Sequence, residues 1–80
     1  MADTKYRVFK KDNYGGKSKE GSFDNRLDAE LRFVDVVAYT VSNFDEYQEE
    51  DVDAIREQGY ERFGAGIIWI EEDGVRPVEI

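Results

Sequence analysis

The run Gly66-Ile67-Ile68-Trp69-Ile70-Glu71 constrains the fold of this chain most. Four consecutive large apolar residues between Gly and Glu read as a buried strand. Alternation groups Ile67 with Trp69 on one face and Ile68 with Ile70 on the other. Trp69 is expected beneath a helix. Ile68, Ile70, Val78 and Ile80 are then either buried within the monomer or available as a dimer patch. Asp73-Gly74 is a type I′ hairpin signal, so Val75–Ile80 reads as the returning strand. Pro77 has no N–H to give to a ladder, which makes that strand an edge.

The other elements follow from local pattern. Residues 6–11, Tyr-Arg-Val-Phe-Lys-Lys, mix β-formers with charges and read as a strand. Asp12-Asn13-Tyr14-Gly15-Gly16 is a turn cluster, and Lys17–Ser22 returns as a short solvated edge strand. A helix is expected over 25–40, capped by Asp24 or Ser22. Leu27, Leu31, Val34, Ala38 and Val41 recur at helical steps and are its expected buried stripe, which Phe33 and Val37 widen so that the helix should be largely buried. The β-branched run within 34–41 lets a strand compete, but Asp35 would break a strand's apolar face. A second helix is expected over 44–63, capped by Ser42 or Asn43, with a break possible at Gly59 and a stop at Gly64-Ala65-Gly66. One domain over 1–80 results, an α+β fold: a three- or four-stranded, mostly antiparallel sheet with two helices packed on one face.

Composition bounds the chemistry. With neither Cys nor His, the chain has no disulfide or thiolate metal site and lacks the residue best suited to proton transfer at neutral pH. Its Ser and Thr hydroxyls have no His partner and no nucleophile-elbow context. Carboxylate pairs such as Asp24/Asp28 carry no weight among so many acids. Residues 12–23 miss the calcium-loop pattern, with Lys17 where Gly is required and Phe23 where a Glu should ligate. Glu71-Glu72-Asp73 reads as exposed hairpin acids in preference to a weak divalent site. No catalytic residue, cofactor or metal is assigned, and the chain is expected not to be an enzyme. No stretch approaches the roughly 20 apolar residues of a membrane span. The first residues lack the apolar run of a secretory signal, so the expected location is cytoplasmic.

The net charge of −8 is unevenly spread. Residues 1–20 carry six bases against three acids, a net of +3, while residues 21–80 carry five against sixteen, a net of −11. On a helix over 44–63, Glu46, Glu50, Asp53, Glu57 and Glu61 share one face, and Asp45, Glu49 and Asp51 form a second row. The acids of residues 45–53 fall at about one per 2.2 Å of helix rise. Duplex DNA carries about one charge per 1.7 Å. The stripe reads either as a solvated helix face or as a surface that imitates a phosphate backbone and docks on a basic protein surface.

The N-terminal segment offers the opposite sign. Lys5, Arg7, Lys10, Lys11, Lys17 and Lys19 interleave with Tyr6, Phe9 and Tyr14, which suits a single-stranded nucleic acid. Edge protection by lysine explains the same pattern, and the net charge opposes a polyanion, so no direct nucleic-acid partner is expected. In size, acidity and lack of Cys and His the chain resembles small phage-encoded inhibitors of nucleic-acid-binding host enzymes, such as anti-CRISPR or anti-restriction proteins. That resemblance is one of composition. It implies a protein partner with a basic surface and assigns no residue. The first expectation is therefore a non-enzymatic inhibitor or regulator acting through its acidic helix. The alternatives are a homodimeric or accessory domain using a sheet face, and a nucleic-acid contact through the Lys-rich segment.

Overall fold

The computed structural model describes residues 4–79. It is an α+β fold with the expected single sheet and two helices. The elements are β1 (Tyr6–Lys11), β2 (Lys17–Phe23), α1 (Arg26–Thr40), α2 (Glu49–Gln58), β3 (Tyr60–Phe63) and β4 (Gly66–Glu72), with a 3₁₀ turn at Phe44–Glu46. The sheet order is β2-β1-β4-β3, every pair antiparallel. Val8, Ile68 and Ile70 meet Ala29, Phe33, Val36, Val37 and Ile55 in the core between sheet and helices.

Residues 26–40 form the helix expected, but its cap differs and its buried face is only part of the one expected. Asn25 is the cap, its Oδ1 accepting from the Asp28 N–H at 2.9 Å. The buried face is Ala29, Phe33, Val36 and Val37. Of the expected face, Phe33, Val37 and Val41 are buried and Val34 packs against the core, whereas Leu27, Leu31 and Ala38 lie exposed, Leu27 at 57% and Leu31 at 55%. Two apolar rows run along this helix. The row chosen carries the large Phe33 ring and no carboxylate, whereas Asp35 stands beside Leu31 on the other. Burying that second row would have brought Asp35 to the edge of the core.

The single helix expected over 44–63 is three elements. Tyr47 and Gln48 are extended, and Gln48 starts α2 with its N–H donating to Asp51 Oδ2 at 2.9 Å. The helix ends where a break was expected: Gly59 lies at φ 85, and its N–H donates to the Ile55 carbonyl at 2.8 Å. An alanine there would be held in the left-handed region, with its Cβ 3.3 Å from Arg26 Nη2. Gly59→Ala should cost about 1–2 kcal/mol, read from a urea midpoint. Residues 60–63 then run as β3, and Gly64-Ala65 turn between two strands instead of stopping a helix.

Asp73 and Gly74 both have positive φ, as a type I′ turn requires. The strand expected over 75–80 does not follow. Only an isolated bridge, Glu72 to Val75, forms among the described residues, and Ile80 lies outside them. The place beside β4 is already taken: β3 pairs with it from Gly66 to Trp69, and Ile70 N–H donates to the Gly59 carbonyl at 2.8 Å.

β4 is covered on both faces, but not as expected. Ile68 and Ile70 lie under the helices, which removes them from any dimer patch. Trp69 faces the opposite way, yet is only 1% exposed. Phe9 stacks on it at 5.5 Å, and Lys17 and Arg76 lie over its ring at 5.7 and 5.8 Å. The indole Nε1 donates to Glu71 at 2.9 Å. Phe63 is half-buried against the core on the helical side.

Candidate interaction surfaces

The helical side of the molecule is built by α1 and α2. Arg26 and Arg56 both reach Glu30, at 2.9 and 3.3 Å, and Arg56 also reaches Asp53 at 3.6 Å. This network ties the helices together and brings the acidic face of α2 beside α1. Glu50, Asp53 and Glu57 keep the expected helical spacing and are all exposed. The remainder of the expected stripe is dispersed. Asp45 and Glu46 sit on the 3₁₀ turn, exposed, and Glu61 is carried by β3. Glu61 is half-buried and accepts from the Tyr47 hydroxyl at 2.7 Å.

Part of the acidity is explained by the fold. Glu49, Glu50 and Asp51 occupy the first turn of α2, where carboxylates offset the helix dipole by about 0.3–1 kcal/mol each. Asp51 is also engaged by the Gln48 N–H. A shallow depression of about 330 Å³ beside Tyr47 is lined by Asp51 and Glu61, both already hydrogen-bonded. What the fold does not explain is the apolar row of α1. Leu27, Leu31 and Ala38 point away from the sheet, with exposed Asp28 and Asp35 along one flank and the acids of α2 along the other. Sequence periodicity found this row but placed it in the core.

Tyrosines brace the periphery. Burial and the Glu61 carboxylate push the Tyr47 hydroxyl up to about 12. Burial and Glu72 raise Tyr6, and the hydrogen bond to Glu20 raises Tyr39. Unfolded tyrosine releases its proton near pH 10 while the native hydroxyls keep theirs. The stabilisation is thus complete below pH 10 and lost as pH climbs toward 12. Tyr47→Phe should flatten that decline in a urea midpoint followed against pH.

The opposite side of the sheet carries the other charge. A bulge in β2 leaves Glu20 without a partner in β1, between Gly21 opposite Val8 and Lys19 opposite Phe9. That extra residue reverses the alternation. Lys17 and Lys19 face outward, while Phe23 turns in to pack against the core. Glu20 turns toward α1, where the Tyr39 and Ser18 hydroxyls donate to it and hold it below the usual carboxylate range. One cross-strand row reads Lys19, Phe9, Trp69, Tyr60, and the next reads Lys17, Lys11, Ile67, Arg62. Arg7 stands on the other flank, opposite Glu71. Reading residues in order along the chain finds Arg7, Phe9, Lys11, Lys17 and Lys19 of this surface but misses the rest, because Tyr60, Arg62 and Arg76 join it only through strand pairing and the C-terminal turn.

No family model, curated protein or solved structure matches this chain. Among the described residues, no group of three potential metal ligands converges, and Glu71 is engaged by Trp69 and by Arg76 at 3.4 Å. No helix of the described residues is long and apolar enough to cross a membrane.

Proposed function

We propose that this chain is a non-enzymatic binding protein, an inhibitor or regulator in the cytoplasm. Its helical face docks on a basic, nucleic-acid-binding surface of a protein partner. The observation that carries the reading is the row of Leu27 and Leu31, more than half exposed between two acidic flanks. Protein interfaces combine an apolar centre with a polar rim, and complementary charge speeds their formation. An acidic stripe alone needs no partner, since water solvates it. Two exposed leucines in register with it gain from being covered. The acids that serve this docking are Glu50, Asp53 and Glu57, with Glu46, Asp45, Glu49 and Asp51 extending the negative field around the start of α2. Glu61, which holds the Tyr47 hydroxyl, is left to the fold.

The test is competition. A partner captured by the wild-type protein should lose its own nucleic acid as this protein is added, and regain it with Leu27→Ser/Leu31→Ser in its place. Simultaneous binding of nucleic acid and this protein by the partner would defeat the proposal.

A further inference from the structure

The outer face of the sheet, opposite the helices, gathers cations and aromatic rings. The chain has 19 acids for 11 bases. Yet among the described residues Arg7, Lys11, Lys17, Lys19 and Arg62 form no ion pair, while Arg26, Arg32, Arg56 and Arg76 all do. Lys11 and Lys17 are directly opposed across β1 and β2, a like-charge pair that works against the sheet. Lysine on the edge strand β2 guards against aggregation. That purpose does not extend to Arg7 and Lys11, because β1 is an interior strand.

Between these cations run aromatic rings. Phe9 and Tyr60 flank Trp69 in one cross-strand row and are half-buried, with the Lys17 ammonium 4.5 Å over the Phe9 ring and the Arg62 guanidinium 5.9 Å over the Tyr60 ring, so a base takes either ring only as its cation swings onto a phosphate. Cations beside ring faces suit a chain of phosphates whose bases are free to stack. A duplex hides its base faces, whereas a single strand can present one at every nucleotide. We infer that this face binds single-stranded nucleic acid, with Arg7, Lys11, Lys17 and Lys19 on phosphates and Phe9 and Tyr60 beneath bases.

The net charge of −8, which led to the opposite expectation, acts weakly here. The Cα envelope is 19 Å at its thinnest, and screening at physiological salt acts over about 8 Å. The acids of the helical face are therefore largely hidden from a ligand on the sheet. The inference is independent of the helical docking surface, since Leu27 and Leu31 lie on the other side.

The experiment titrates the protein with oligo(dT) and oligo(U) of about a dozen nucleotides, a length within the range one small domain covers. Trp69 is the single Trp and reports directly by its emission. A micromolar Kd is expected at about 50 mM salt, typical of charge-driven binding. Four phosphate contacts give a log–log salt slope near −3, a loss of roughly 50-fold by about 200 mM. Lys11→Gln with Lys17→Gln should bring the slope near −1.5, and a urea midpoint at or above wild type shows that the fold is kept. Tyr60→Leu keeps an apolar cover beside Trp69 and should weaken binding about tenfold. Absence of binding at about 50 mM salt, or an unchanged slope in the double variant, overturns the inference. So does equal affinity for duplex, or for polyglutamate, the latter pointing to an acidic protein ligand.

Discussion

Phe33→Ala should remove a large share of the protein's stability at room temperature, while Leu31→Ala, two residues away on the same helix, leaves it nearly unchanged. Phe33 is fully buried between α1 and the sheet. Removing a buried Phe costs about 3–5 kcal/mol, counting the lost transfer energy and the cavity. Stability of about 0.05–0.15 kcal/mol per residue gives a domain of this length only about 4–12 kcal/mol in total. Leu31 is 55% exposed, so its truncation should stay within about 1 kcal/mol. Urea unfolding of the two variants side by side reads the difference. Equal losses, or a larger loss for Leu31→Ala, would mean that α1 presents the other row to the sheet.

The same exposure makes Leu27 and Leu31 costly to lose in a complex. Fully burying a leucine is worth about 1.5–3 kcal/mol. Each has little more than half its surface still to cover. Together they offer about 2–3 kcal/mol, so Leu27→Ser with Leu31→Ser should weaken partner binding roughly 30- to 150-fold. Loss of apolar contact acts mainly on dissociation. The variant should therefore associate at a near-normal rate, leave faster, and keep a urea midpoint close to wild type. A double variant that binds as tightly as wild type would remove the apolar row from the interface.

The fold was legible where the deciding physics is local. Tyr6–Lys11, the Asp12–Gly16 turn, the apolar run of β4 and the Asp73-Gly74 turn are set by strand propensity and by residues that tolerate positive φ. α1 was legible in extent but only partly in orientation: Phe33 and Val37 were placed inward, but so were Leu27 and Leu31, because a helix with two apolar rows fits a sheet by either and only the assembled core chooses. β3 was hidden for a related reason. Phe63 falls at helical spacing from Ile55 and Gly59, and nothing within Tyr60–Phe63 announces that β4 will pair with it.

The candidate surfaces divide in the same way. Glu50, Asp53 and Glu57 were found because they lie within one continuous helix. Glu46 and Glu61 were added by extending its period through Tyr47–Gln48 at one end and Gly59 at the other, where the backbone leaves the helix. For Trp69, alternation supplied its companions but not the side of the sheet that the helices would take. The outer face needed both strand order and the β2 bulge, neither of which is written in local sequence.

The docking claim is tested most directly by the association rate of the captured partner with Glu50→Lys/Asp53→Lys/Glu57→Lys, followed against salt. The stability terms nearly cancel. A lysine in place of Glu50 opposes the helix dipole, one in place of Glu57 complements it, and the pair of Asp53 with Arg56 is a weak exposed one. The urea midpoint should thus hold to within about 1 kcal/mol of stability. Electrostatic steering changes association by about 10- to 1000-fold at low salt. The account predicts a wild-type rate that falls steeply with salt and a variant at least about tenfold slower, nearly insensitive to salt. Equal rates with equal salt dependence would contradict it.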